Sequence, residues 1–360
     1  MSAPVPRPGI LEITPYVGGK SSAAGAAKPI KLSSNEGALG PSPKAIEAAA
    51  KAAADMHRYP DGSATALRTA LGKHFGLDPA RIVCGAGSDE LIALLVKSYA
   101  GPGDEVLYSQ YGFVMYPIAA HTAGATPVTA PETGYKTDID ALIAKAGPKT
   151  KICFLANPNN PTGTYVSGDD IKRLRAGLPP HTLLVIDAAY AEYVSQNDYS
   201  AGTEIVDAGD NTVMLRTFSK MFALGGMRLG WGYFPPGIAD VLNRVRGPFN
   251  VGASAMAAGV AALEDTAFQD RVRAHNDVWL PWFAGECKKL GLEPLPSVGN
   301  FVLVKFPAAR SAAAANDFLM ARAIIPRSVA NYGLPEFLRF TIGTEAEMRA
   351  VVSALADFMK

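Results

Sequence analysis

Leu183-Leu184-Val185-Ile186-Asp187-Ala188-Ala189-Tyr190 is the stretch on which the fold turns. Four aliphatic residues without a polar break read as a strand buried on both faces, in a run too short for a core helix. A carboxylate ends the run, and a phenol follows three residues later. An ionisable group in that place is partly buried, and a buried carboxylate demands a cationic partner.

The same pattern recurs in both directions. Arg81-Ile82-Val83-Cys84, Glu105-Val106-Leu107-Tyr108 and Lys151-Ile152-Cys153-Phe154-Leu155 lie upstream; Val213-Met214-Leu215 and the Gly- and aromatic-rich segment Gly230 to Phe234 lie downstream. Amphipathic stretches separate them: Asp89 to Ser98, Ile139 to Lys145 and Gly168 to Arg175. Strand-like runs alternating with helices predict an α/β fold, its mostly parallel sheet covered on both faces. Ser42 as N-cap and Pro43 at the first helical position open a helix expected to run to about Met56, before the turn residues Tyr59-Pro60-Asp61-Gly62. After Pro248 the texture changes. Ala253 to Leu263 reads as a helix, Phe268 to Leu290 as one long helix kinked at Pro281, and Glu345 to Met359 as a closing helix, with strands at Phe301–Val304 and Phe337–Phe340. The expected division is an N-terminal arm over residues 1–30, with a flexible patch at Ser21 to Gly25, a large domain over 31–245 and a small C-terminal domain over 246–360.

Composition narrows the function classes. A chain of 360 residues exceeds one ordinary core and suits two domains. The formal net charge of +1 gives no argument for nucleic acid or an anionic membrane surface. No apolar stretch approaches the ~20 residues of a membrane helix. Met1 to Gly9 is Pro-rich and lacks the apolar core of a signal peptide. Cys84 and Cys153 sit inside apolar runs and Cys287 in a helical pattern, an odd set that reads as buried thiols in a reducing compartment, so a cytoplasmic location is expected. The histidines and cysteines show no metal-ligand spacing.

The polar residues are informative chiefly through their position. Gly85-Ala86-Gly87-Ser88, Ser109-Gln110-Tyr111, Asn157 to Gly163, Asp187 to Tyr190 and Thr217 to Lys220 each follow the carboxyl end of an expected strand. In open α/β sheets ligands bind outside those ends, where helix N-termini also point, so all these segments should meet at one crevice. Gly87 permits close backbone approach, and Ser88 can cap its helix or donate to an anion. The Asp89 contribution to an anion is its backbone N–H, because its carboxylate would repel one. Gly85-x-Gly87-x-x-Glu90 lacks the third glycine of a dinucleotide fingerprint. Lys220 follows Thr217-Phe218-Ser219, and lysine shifts its pKa readily when desolvated or near another cation. Arg228 offers that charge and a fork for phosphate oxygens. Lys220, Asp187, Tyr190, the Asn160 amide and Arg228 together suit one small charged ligand, pyridoxal 5'-phosphate.

In this order — phosphate loop, aromatic, Asn160-Pro161-Thr162-Gly163, Asp187-x-x-Tyr190, Lys220, Arg228 and a late Arg339 — the chain resembles the fold-type I pyridoxal-phosphate aminotransferases over essentially its whole length. Thr14-Pro15-Tyr16, Leu32-Ser33-Ser34-Asn35-Glu36, Arg58-Tyr59-Pro60-Asp61, the doubled Asn159-Asn160 and Leu338-Arg339-Phe340-Thr341-Ile342-Gly343 are most similar to the histidinol-phosphate aminotransferase group. The resemblance implies a large domain with a seven-stranded mixed sheet and a smaller α+β C-terminal domain. It implies Lys220 as the covalent anchor of the cofactor and carrier of the substrate proton, Asp187 at the pyridine nitrogen, Asn160 and Tyr190 at the ring oxygen, and Tyr111 stacked on the ring. Ser88, the Asp89 backbone, Thr217, Ser219 and Arg228 would hold the phosphate, with Tyr59 reaching it from the other subunit of a homodimer. Arg339 and Arg327 would bind substrate anions, with Tyr16 and Asn35 closing over them.

The activity so implied is exchange of an amino group between L-histidinol phosphate and 2-oxoglutarate. An aromatic amino-acid aminotransferase, a decarboxylase of phosphorylated threonine and a non-catalytic cofactor-binding protein remain as alternatives. Two departures from the family pattern stand out: Ala188 where a glutamate is usual, and the loosely matching segment Ser328 to Leu334, which would border the substrate side chain.

Overall fold

The computed structural model describes residues 4–22 and 28–360. Part of the expected flexible patch, Ala23 to Gly25, lies outside them, as do Met1 to Ala3.

Seven strands form the main sheet: β1 (Ile82–Gly85), β2 (Glu105–Ser109), β3 (Thr126–Ala130), β4 (Thr150–Ala156), β5 (Leu183–Asp187), β6 (Thr212–Thr217) and β7 (Gly230–Tyr233). Their order is β1-β7-β6-β5-β4-β2-β3, and only β7 runs antiparallel to its neighbours. Successive residues alternate between two apolar layers: Met214, Ile186 and Cys153 enter one, Val213, Val185 and Phe154 the other. That period of two explains the unbroken apolar runs, since a sheet covered on both faces leaves no solvated side. β3 is the strand the sequence conceals. It is an edge strand with Pro127 inside it and only Ala130 fully buried, so it lacks the apolar signature of the central strands.

Helices follow the strand ends. The first, α1 (Pro43–Ala53), is capped by the Ser42 hydroxyl, which accepts from the Lys44 N–H, and it stops three residues short of Met56. After β1 comes α2 (Ser88–Tyr99), and after β2 comes α3 (Met115–Ala123). Beyond β7 lie α4 (Ala253–Glu264) and α5 (Thr266–Lys289), the latter one helix that continues through Pro281. A second, antiparallel sheet orders β8 (Glu293–Pro294), β9 (Phe301–Lys305), β11 (Phe337–Thr341) and β10 (Arg327–Ser328) side by side, and α6 (Glu345–Met359) closes the chain behind a Thr344–Glu347 capping box.

The apolar cores do not divide at residue 245. Ala255, Ala258, Ala262 and Leu263 of α4 pack in the core of the main sheet, whereas Leu32 packs in the C-terminal core, beside the parallel pairing of Ile30–Lys31 with Ile324–Ile325. We propose that the division runs through α5, whose Val272 belongs to the first core and whose Trp279, Phe283 and Cys287 belong to the second. Among the described residues no helix is long and apolar enough to cross a membrane.

Candidate active site

The carboxyl ends of β1, β4, β5 and β6 open onto one cleft of about 540 Å³. Ser88, Asp89, Asn160, Asp187, Tyr190, Thr217, Ser219, Lys220 and Arg228 all line it, with Tyr16 from the N-terminal arm at its edge. Parallel pairing produces this convergence. Register places Ala156 beside Asp187 and Asp187 beside Leu215, so β4 and β5 end level and β6 runs two residues further before its loop.

At the floor, Asp187 is 6% exposed. Its Oδ2 accepts from the Tyr116 hydroxyl at 2.8 Å, while Oδ1 has no hydrogen-bond partner among the described residues. Burial pushes this carboxyl up to about 6, against the opposing pull of Tyr116, the Ala189 N–H and Lys220. Lys220 reaches in from the loop after β6. Its Nζ lies 5.6 Å from the Tyr190 ring centre and donates weakly, at 3.3 Å, to the Ser34 carbonyl. Burial and then the Arg339 guanidinium bring the amine down to about 8. The nearby cation expected from the sequence is therefore Arg339, not Arg228, whose guanidinium turns to the other end of the cleft.

That end is built from backbone. Gly87, with φ of 92°, precedes the first turn of α2; Ser88 is the first helical residue rather than the cap. A Cβ at Gly87 would come within 2.4 Å of the Arg228 Nη2, and one at Gly230 within 2.3 Å of the Ser88 nitrogen. Only glycine therefore lets the turn, the neighbouring strand and the arginine pack together. Arg228 Nη2 donates to Asp89 Oδ1 at 2.8 Å, which neutralises the carboxylate that would otherwise oppose an anion here. Thr217 Oγ1 accepts from the Ser219 N–H at 3.1 Å and donates to the Ser219 Oγ at 3.0 Å, bringing two hydroxyls to the same end.

Other expected residues stand apart from the lining. The Tyr111 ring packs beside Tyr135 against the Leu303, Val329 and Phe337 cluster; Phe113 takes the aromatic place in the cleft wall. The turn at Gly112, whose N–H donates to the Ser109 carbonyl, separates these two rings. Asn35 is fully buried at φ of 55° and donates to the Tyr190 hydroxyl at 2.8 Å, so it touches the cleft only through that phenol; its neighbours Ser34 and Glu36 line it directly. Arg339, 5% exposed, donates to Asn160 Oδ1 and to the Ser33 carbonyl, and its Nε has no partner among the described residues. Arg327 lines an adjoining cavity with the arm and donates to the Val17 carbonyl at 3.0 Å. Tyr59 lies on the surface, 83% exposed and stacked on Phe249 at 4.6 Å. Sequence reasoning missed Phe113 and Tyr116, because an aromatic stripe at a helix start carries the same signature whether it forms wall or core.

The set fits a phosphorylated pyridine carbonyl compound. A buried carboxylate oxygen without a partner suits a protonated ring nitrogen, a partly neutral amine suits covalent capture of a carbonyl, and a helix N-terminus beside a guanidinium and two hydroxyls suits a phosphate.

Comparison with known proteins agrees with this geometry. The profile of aminotransferase class I and II matches residues 27–355. The chain is 61% identical to the histidinol-phosphate aminotransferase of Paramagnetospirillum magneticum, over 100% of this chain and 99% of that one. It is 59% identical to that of Rhodospirillum centenum over 100% of both chains. A crystal structure of histidinol-phosphate aminotransferase from Sinorhizobium meliloti in complex with pyridoxal-5'-phosphate superposes with a TM-score of 0.90 at 29% identity, covering 99% of this chain and 98% of that one. A main sheet with one antiparallel strand, strand ends that gather lysine, carboxylate and arginine, and full-length identity of this order lead to one conclusion: the chain belongs to the class I and II aminotransferases.

Proposed function

We propose that the protein exchanges an amino group between L-histidinol phosphate and 2-oxoglutarate with pyridoxal 5'-phosphate as cofactor, a step of histidine biosynthesis. The observation that carries the chemistry is the confrontation, in one cleft, of a lysine shifted toward its neutral form with a buried carboxylate oxygen that lacks a partner. The full-length identity to histidinol-phosphate aminotransferases supports the substrate pair.

When bound, the cofactor supplies an electron sink for the charge left on the substrate carbon. Asp187 holds the proton on the ring nitrogen. Lys220 would hold the cofactor covalently until the substrate amine displaces its Nζ, and the freed Nζ would then carry the proton leaving the substrate's reacting carbon. Asn160 and Tyr190 bind the ring oxygen, Tyr190 being oriented by Asn35. Phe113, in the role first expected of Tyr111, stacks on the ring. Ser88, the Asp89 N–H, Thr217, Ser219 and Arg228 bind the phosphate. Arg339 pairs with the glutamate carboxylate or the histidinol phosphate anion, Arg327 adds a second positive charge, and Tyr16 covers the mouth. The three buried free thiols accord with a cytoplasmic location.

A substrate panel followed through the cofactor's own absorbance tests the assignment. Histidinol phosphate should convert the cofactor to its amine form with the highest specificity. A preference of an order of magnitude or more for phenylalanine, or turnover of threonine phosphate, would replace the proposal with one of its alternatives.

The active unit we propose is a homodimer. The stacked pair Tyr59 and Phe249 stands in solvent with Met56 also exposed, an apolar surface that a second copy would cover while Tyr59 reaches the neighbouring phosphate site. Sedimentation should give a dimer, and Tyr59→Ala should weaken cofactor binding by about tenfold to a hundredfold, as loss of one hydrogen bond to a charged group predicts. A monomer with full activity would exclude this arrangement.

A further inference from the structure

Tyr116 stands behind the cleft and does not line it, yet it makes the only side-chain hydrogen bond to Asp187 among the described residues. It sits in the first turn of α3 and is fully buried. Its ring stacks on Phe154 of β4 at 4.3 Å and 5°, and meets the ring of Phe113 edge-on at 5.9 Å and 87°. Two fixed surfaces therefore hold the phenol, and its hydroxyl points at Oδ2 at 2.8 Å. Oδ1, the other oxygen, is buried and has no hydrogen-bond partner among the described residues.

We propose that Tyr116 is a positioning residue for the cofactor: it occupies Oδ2 so that Asp187 stays charged and turns Oδ1 toward the ring nitrogen, while its ring braces Phe113. A buried carboxylate stripped of its donor would shed charge by taking up a proton. Burial and the adjacent Asp187 charge push the phenol well above the tyrosine range, so it remains a donor at every working pH. Lys220, Asp89, Tyr190, Tyr199 and Tyr332 are the other titratable groups coupled to this pair, Tyr108 packs edge-on against the Tyr116 ring, and replacing Tyr116 with phenylalanine leaves each of them in place.

The inference rests on the cofactor reading above, and the test separates the two. Apoprotein is titrated with pyridoxal 5'-phosphate across pH 5 to 9, with affinity read from protein fluorescence. Wild type that binds no cofactor would sink the functional reading itself. Given binding, Tyr116→Phe should weaken affinity about tenfold and move its acid limb up by about one pH unit, because Asp187 then protonates earlier. Thermal melting and circular dichroism should stay near wild type. Site-specific 3-fluorotyrosine at position 116, a stronger donor, should move the limb the other way, and it decides alone if the phenylalanine variant does not fold. An unmoved limb in both variants would overturn the proposal, including the case where affinity falls together with melting temperature, since packing alone would then account for the loss.

Discussion

Lys220→Ala is expected to lower turnover by about 10⁴-fold or more while the protein stays folded, because a positioned proton carrier alone contributes up to that much. The side chain does little for the fold. Its amine makes one long contact, 3.3 Å to the Ser34 carbonyl, and forms no ion pair among the described residues. The chemistry it serves depends on its depressed basicity. Burial and Arg339 set the amine at about 8 rather than 10.5, so its neutral fraction grows through pH 8, and the rate of cofactor capture by wild-type apoprotein should rise there and then level. The linkage has a definite sign. Between about 8 and 10.5 the unfolded lysine keeps a proton that the folded one has lost, so stability climbs with pH across that window. The alanine variant should lack this slope. Borohydride reduction of the holoprotein followed by peptide mapping should label Lys220; a label on another lysine, or none, would remove the anchor from this position.

What the sequence makes legible here follows from burial. The central strands are covered on both faces, so their apolar runs stand out, and the polar residues ending them can be assigned to a common crevice without knowing strand order. Asp187, Tyr190, Lys220, Ser88 and Arg228 were readable in this way. β3 was not, because an edge strand containing Pro127 is patterned like a loop. The choice between Tyr111 and Phe113 depends on the backbone turn at Gly112, which sends two nearby rings to opposite sides, and spacing alone does not encode that. The source of Lys220's shift was similarly hidden. Arg228 lies eight positions away in the chain, but Arg339 acts on the amine across the two sheets. The packing of α4 against the main sheet is not encoded in its Ala-rich texture, which suits either core equally.

Asp187→Asn should separate stability from function in opposite directions. In the cofactor-free protein the folded carboxyl titrates at about 6 instead of 3.8, so between those values the folded state binds more protons than the unfolded state, and stability falls as pH rises through the window. Above it, holding the charge costs about 3 kcal/mol, taking about 1.4 kcal/mol per pH unit. An uncharged amide of the same shape avoids that cost, and Tyr116 can still hydrogen-bond to it. Cofactor-free Asp187→Asn should therefore melt a few degrees above wild type at neutral pH, with the advantage shrinking below pH 6. With cofactor the order reverses. The amide cannot keep the ring nitrogen protonated, and loss of a buried ion pair of about 3 kcal/mol or more corresponds to at least about 10²-fold weaker binding, with turnover lowered beyond that. Paired melts with and without pyridoxal 5'-phosphate read both effects in one experiment. A variant that binds the cofactor within threefold of wild type would show that Asp187 is not the partner of the ring nitrogen, whereas an unchanged cofactor-free melt would show that its buried charge carries no penalty to relieve.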